Sequence, residues 1–309
     1  MPDDAPTQAG NPQYSIIIAV YNDWGPLEQC LLSLERQTNA PDFEVIVVDD
    51  GSKQPAPDII CRRKVSYSLT IVQQPHQGIA AARNRGLQSS KGSVMVFTDA
   101  DCRFQADCLS ALEAALAHSP HHSCFQLNLK GDCSNLLGRA EELRLTEIQK
   151  QKMQPNGTIR YVNTAGFAIR RTRVDTRGGL FNPAALRSED TLLLVDLIQR
   201  GELPCFVAGA VVQHVVSRSL LECLRKDFHA AWLEAKTFEI IAAKGVQVRM
   251  SYRARVRMLF SMWNTAGSNS IGRGAWFVVV ARQSVQRIIT VGYRCSRIRA
   301  VSRTSAGAC

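Results

Sequence analysis

Four short runs, at residues 14–20, 43–48, 68–73 and 93–98, constrain this chain more than anything else in it. They are mostly apolar and β-branched, as in Ser15-Ile16-Ile17-Ile18-Ala19-Val20, and each has the length of a strand rather than a helix. Between the first two, Leu27, Cys30, Leu31 and Leu34 recur at helical spacing. Pro26 suits that helix's first turn and Asp23 is a candidate cap. Between the third and fourth, Gly78 precedes an alanine run that favours helix. Strand, helix and strand in alternation predict parallel pairing through crossovers, hence a doubly wound α/β sheet. Such sheets take ligands at the carboxyl ends of their strands. Asp49, Asp50, Asp99 and Asp101 all fall at that edge.

Asp99 and Asp101 follow the fourth run one residue apart. In extended backbone they would project to the same side. Two adjacent carboxylates repel, and a divalent cation that keeps positions open for phosphate oxygens resolves the conflict. The plainer reading is an Asp-rich turn after a strand.

With 309 residues, 45% of them hydrophobic and 21% charged, the chain has room for one large folded domain and an appendage. No stretch reaches the roughly 18 apolar residues of a membrane-spanning helix. Residues 1–11 carry no Lys or Arg and no apolar core, so a frayed tail over 1–13 is expected rather than a signal peptide. Ten cysteines occur without a C-x-x-C pair, which predicts reduced thiols in a cytoplasmic protein rather than a zinc site. The net charge of +10 is C-terminal: residues 215–309 hold 16 basic and four acidic side chains, and none is acidic after residue 239. That surplus predicts an anionic partner, lipid headgroups or nucleic acid.

Farther along, helices are expected at 105–118, 136–151, 191–200 and 217–243, strands at 123–129 and 204–212, and extended chain at 160–170. Ser188 is the expected cap of the 191–200 helix and Gly201 its stop; Glu189 and Asp190 would also be favoured there by the helix dipole. Beyond residue 245, short apolar segments flanked by arginine suit a helix pair lying on a membrane surface. The alternative is a helical appendage packed on the domain, its arginines snorkelling.

The order Ser15-Ile-Ile-Ile-Ala-Val-Tyr-Asn22, Leu31-x-Ser33-x-x-x-Gln37-Thr38, Val45-Ile-Val-Val-Asp-Asp-Gly-Ser52, Ala82-Arg-Asn-x-Gly86, Thr98-Asp-Ala-Asp101 and Glu189-Asp190 resembles glycosyltransferase family 2. The resemblance implies a GT-A type, Rossmann-like mixed sheet over residues 14–216, which leaves 217–309 as a helical, basic extension, either associating with membrane or packed on the domain. It implies an inverting transferase that uses a nucleoside-diphosphate sugar, a UDP-sugar favoured, and a divalent metal, Mn2+ or Mg2+. Ala19, Tyr21, Asp50, Arg83 and Asp99 would bind the donor, with Asp50 and the loop at Ala19 and Tyr21 on the nucleobase. Asp99, Asp101 and His214 would hold the metal, and Asp190 would be the general base. The segment Thr164-Ala165-Gly166-Phe167 and Glu189 would line the acceptor side.

The acceptor would be a hydroxyl of a glycan, a lipid carrier or a small molecule, in envelope or surface glycan synthesis. The enzyme would sit peripherally on the inner face of the cytoplasmic membrane, and no nucleic acid is expected. Cys102 stands where an acid is frequent in the family. The Q-x-x-R-W pattern of processive members is absent, which implies a single-transfer enzyme. Two rivals remain. A dinucleotide oxidoreductase lacks its G-x-G-x-x-G after the first strand; a catalytically silent scaffold would dock through its basic tail.

Overall fold

The computed structural model describes residues 11–174, 178–248, 250–268 and 271–306, with side chains to residue 293. In order, β1 (Tyr14–Val20), α1 (Trp24–Glu35), β2 (Phe43–Asp49), α2 (Asp58–Cys61), β3 (Ser68–Gln73), α3 (Ile79–Ser89) and β4 (Val94–Asp99) form the first half. β5 (Cys102–Phe104), α4 (Cys108–His118), β6 (Cys124–Gly131), α5 (Leu136–Lys152), β7 (Phe167–Arg170), α6 (Glu189–Gln199) and β8 (Cys205–His214) follow. Three helices close the chain: α7 (Leu220–Ala243), α8 (Tyr252–Ser268) and α9 (Arg273–Ala306).

All eight strands join one sheet in the order β3-β2-β1-β4-β7-β6-β8-β5. The first four run parallel, as the crossovers require. β7 is antiparallel to both β4 and β6, and β5 to β8, which makes the sheet mixed. Because β2 lies on one side of β1 and β4 on the other, the winding reverses between β1 and β4. That is the crevice in which doubly wound sheets bind ligands.

Period-two alternation divides the core. Ile16, Ile18, Val45, Val47, Val94 and Val96 face α1 and α4 in one apolar cluster. Ile17, Met95, Phe97 and Phe167 meet Leu87 of α3 and Leu193 and Leu197 of α6 in another. α3 lies close to the sheet at Gly86, where a Cβ would come within 2.4 Å of Ile17 Cγ2. A third seam joins α8 and α9 to α5 through Met258, Met262, Ala275 and Val278 against Ala140 and Leu143.

Several local expectations change. Of residues 160–170, only Phe167–Arg170 is strand. Ser188 adopts a left-handed backbone (φ 59°) and makes no cap; its hydroxyl donates to Glu234 Oε1 at 3.1 Å. Asp23 does not cap α1 and instead accepts from Arg218 Nη2 at 2.7 Å. Residues 1–10 of the expected tail lie outside the described residues, while Gln13 donates its backbone N–H to Asp42 O at 2.9 Å. The eight cysteines up to Cys223 are unpaired. No described helix is long and apolar enough to cross a membrane. The basic extension packs on the domain through α5, as an appendage would.

Candidate active site

A cleft of about 860 Å³ opens at the carboxyl edge of β1 and β4 and runs beneath α7–α9. Ala19, Tyr21, Arg83, Asp99, Asp101, Glu189, Asp190 and His214 all line it. Register explains the first contacts. Ala19 is the partner of Asp99 across β1 and β4, so both stand in the crevice. The chain then turns at Ala100 and Asp101 into β5, so strand alternation is not what brings the two acids to the cleft. Cys102 pairs with His214, and Asp101 O accepts from Val215 N at 2.9 Å. Asp101 is therefore held against the end of β8.

Arg83 is 1% exposed and ties β4 to α6. Its Nη2 donates to Asp99 Oδ1 at 2.7 Å and its Nη1 to Glu189. Burial disfavours the guanidinium charge, but Asp99, Glu189 and Asp190 more than offset it and raise its pKa. The residue expected on the donor is engaged as a strut between carboxylates. Next to it, Asn84 holds the segment before α6, donating to Phe181 O (2.7 Å) and accepting from Leu180 N (3.0 Å) and Phe181 N (2.9 Å).

Asp190 stands in the first turn of α6, where its Oδ1 accepts from Thr191 N at 2.6 Å. Burial and the Glu189 carboxylate push its pKa up to about 7, against the pull of Arg83. That is the range in which a carboxylate exchanges protons at neutral pH. Asp101 goes the other way. Burial opposes its charge, yet His214, Lys226 and Arg218 hold it down at about 2.

Four of the expected site residues are engaged elsewhere in the fold. Asp50 is buried and does not line the cleft: Gln74 Nε2 (2.7 Å), Gln77 N (2.9 Å), Gly78 N (2.9 Å) and His76 Nδ1 (2.9 Å) surround its two oxygens. A carboxylate has about four acceptor positions, so these are filled by its own chain. Asp50 shapes the loop that stacks His76 on Tyr21, ring centroids 4.1 Å apart. Phe167 is fully buried against Phe97 and belongs to the core. Gly166 packs on Leu129, whose Cδ2 would lie 2.8 Å from an added Cβ; of the expected segment, Thr164 and Ala165 line the cleft. His214 lies 3.5 Å from both Asp101 Oδ1 and Glu141 Oε1. Burial would lower its pKa, but these carboxylates raise it to about 10.

The carboxylates themselves suit a divalent ion. Asp99 is 31% exposed, with one oxygen on Arg83, and Asp101 is ionised beside it along the chain. No group of three or more His, Cys, Asp or Glu is arranged around a common point among the described residues, so any ion here would complete its shell from solvent and substrate. The sequence also gave no reason to single out Glu141, Arg144, Arg218, Lys226 and Arg282, all in the cleft wall. Arg144 and Glu141, three apart on α5, are 2.6 Å apart with Glu141 buried.

A mixed, doubly wound sheet with a carboxylate-lined crevice at its reversal defines the GT-A class. Two solved structures share this fold. The mannosyltransferase PcManGT of Pyrobaculum calidifontis, solved with GDP-Man and Mn2+, superposes with a TM-score of 0.55 at 18% identity, covering 96% of this chain and 84% of that one. TarS 1-349 of S. aureus, solved with UDP, gives 0.54 at 18% identity and covers 92% of each chain. The chain belongs to glycosyl transferase family 2, whose family model matches residues 15–178. Among curated relatives, glycosyltransferase AglE of Haloferax volcanii is 35% identical over 94 residues, 29% of this chain and 31% of that protein. A PGL/p-HBAD biosynthesis glycosyltransferase of Mycobacterium tuberculosis is 36% identical over 113 residues, 35% of this chain and 44% of that protein. These matches thus span less than half of the relatives' lengths.

Proposed function

We propose that this protein is an inverting, non-processive glycosyltransferase that moves one sugar from a nucleoside diphosphate, a UDP-sugar first, to an acceptor hydroxyl. The carrying observation is that Asp190, with its pKa at about 7, shares one cleft with Asp99 and Asp101. The GDP-Man and UDP bound by the structural neighbours support the donor class.

On this reading the nucleobase lies by Ala19 against the exposed Tyr21 ring, which His76 backs. Arg218, whose Nη1 is 3.7 Å from Asp101, and Lys226 meet the diphosphate charge. A divalent ion on Asp99 and Asp101, Mn2+ or Mg2+, would supply Lewis-acid neutralisation of the leaving diphosphate. Asp190 takes the proton of the attacking hydroxyl, a general-base contribution of about 10²–10⁴-fold. The Arg83 strut fixes Glu189, and hence the start of α6, against β4. Residues 14–216 form the transferase unit and 217–309 the helical unit that roofs it.

The helical unit would also rest on an anionic membrane surface. Its exposed Leu221, Phe228 and Trp232 lie along one stripe of α7, and its residues after 239 carry no acid. A thermal-shift panel of nucleoside diphosphates, with and without Mn2+, tests the donor reading. A stabilising response that Asp99→Ala and Asp101→Ala lose is expected; no response to any of them would overturn it.

A further inference from the structure

Four of the eight arginines that line the cleft have a carboxylate within ion-pair distance; Arg187, Arg255 and Arg287 do not, among the described residues. Arg83 has Asp99 and Glu189, Arg144 has Glu141, Arg218 has Asp23 and Arg282 has Asp227. Lys152 and Arg160 line the same cleft and have no carboxylate within ion-pair distance among the described residues. The fold nevertheless forces them together. α5 ends at Lys152, and a tight hairpin closed by the Met153–Ile159 bridge returns the chain, so that Arg160 N donates to Lys152 O at 2.9 Å. Like charges opposite each other at a hairpin neck repel. Burial and the Arg160 charge both lower the pKa of Lys152. Arg160 Nη2 reaches Gln247 O, just past α7, at 3.4 Å.

This pole is separate from the one that would take the donor diphosphate. Glu141, beside His214 and Asp101, is eleven residues before Lys152 on α5, about 16 Å of helix rise. An anion bound at Lys152 is therefore a second anion. Tyr161, Asn163 and Thr164 follow Arg160 along the cleft wall.

Resting on the transferase reading above, we propose that the acceptor carries a phosphate or diphosphate and that Lys152 and Arg160 hold it. An anion there relieves the repulsion the hairpin imposes and leaves the hydroxyl-bearing part of the acceptor to reach toward Asp190. A lipid-linked phosphate and a soluble sugar phosphate share this chemistry.

The test measures binding of farnesyl diphosphate, farnesol and glucose 1-phosphate to the full chain saturated with the nucleoside diphosphate it binds best. A phosphate-bearing probe should bind, farnesol should not, and Lys152→Gln with Arg160→Gln should weaken that probe about tenfold or more. The nucleoside diphosphate should bind the variant as before, and the variant's melting temperature should not fall, since a repulsion has been removed. The charge-retaining exchange Lys152→Arg with Arg160→Lys should keep the site. Binding of farnesyl diphosphate alone identifies a lipid acceptor, and of glucose 1-phosphate alone a soluble one. Equal binding by the Gln variant, equal binding of farnesol, or no binding of either phosphate probe overturns the proposal. A protein that takes a phosphate probe but no nucleoside diphosphate keeps an anion site and loses both the transferase reading and the acceptor assignment.

Discussion

The sheet half and the C-terminal helices are built on different terms. Strands β1, β2 and β4 bury nearly every side chain, and two apolar clusters fill both faces of the sheet. The helices hold on by two smaller apolar clusters, Met258, Met262, Ala275 and Val278 on α5 and Ile241 with Phe238 on Leu192 and Val195 of α6, and by polar ties. Buried Asp227 of α7 accepts from Arg282 Nε (2.7 Å) and Nη2 (3.0 Å) of α9, and a Ser219–Glu222 capping box starts α7. Among the described residues, nine of the thirteen large apolar side chains left exposed belong to α7–α9, including Phe228 at 60% and Ile288 at 72%. The sheet half turns its apolar residues inward and uses its strand ends for chemistry. The helical half roofs the cleft with one face and keeps the other uncovered.

The sharpest break between the halves is catalytic. Asp190→Ala should cost about 10²–10⁴-fold in transfer rate, measured with donor and acceptor, while circular dichroism shows the fold intact. Loss of structure with loss of rate would make Asp190 a packing residue. Next, Asp227→Ala leaves Arg282 beside Glu141 alone and should cost about 3 kcal/mol, the low end for a buried pair with one partner part-exposed. Hydrogen exchange should quicken in α7–α9 and stay slow in β1–β4; uniform quickening would mean that the two halves unfold as one.

Titration of Asp190 gives a smaller, signed effect. Its folded pKa of about 7 lies above the unfolded value, so the native state binds more protons between the two and stability falls as pH rises through that window. Asp190→Asn should flatten that slope in melting curves taken from pH 4 to 8. Transfer by the wild type should fall about tenfold per unit below pH 7 as the base protonates, and a flat profile would remove Asp190 from that role. The least effect on stability is expected at the uncovered face. Phe228→Ser with Trp232→Ser should change stability by about 0.5 kcal/mol or less, yet reduce sedimentation with anionic vesicles. Unchanged sedimentation would break the membrane reading of the helical half.

What could be read in advance follows the range of the signal. Asp99, Asp101 and Asp190 stand at strand and helix ends that periodicity marks, and all three reach the cleft. Phe167 and Gly166 were misplaced because an apolar run looks the same whether it lines a cleft or backs onto Phe97 and Leu129. The surroundings of Asp50 were not legible because the donors that meet it come from a loop folded back beyond β3. The Lys152–Arg160 pole was invisible until the hairpin brought two cations face to face.

The amino-acid order alone determined the alternation of strands and helices, the parallel start of the sheet and the acids along its rim, because side-chain periodicity and turn chemistry act over a few residues. Tertiary structure decided which charges meet. The raised pKa of His214, the engagement of Arg83 and the raised pKa of Asp190 depend on carboxylates, most of them brought in from distant elements. Coulomb interactions and desolvation act through space, and only the folded chain sets those distances.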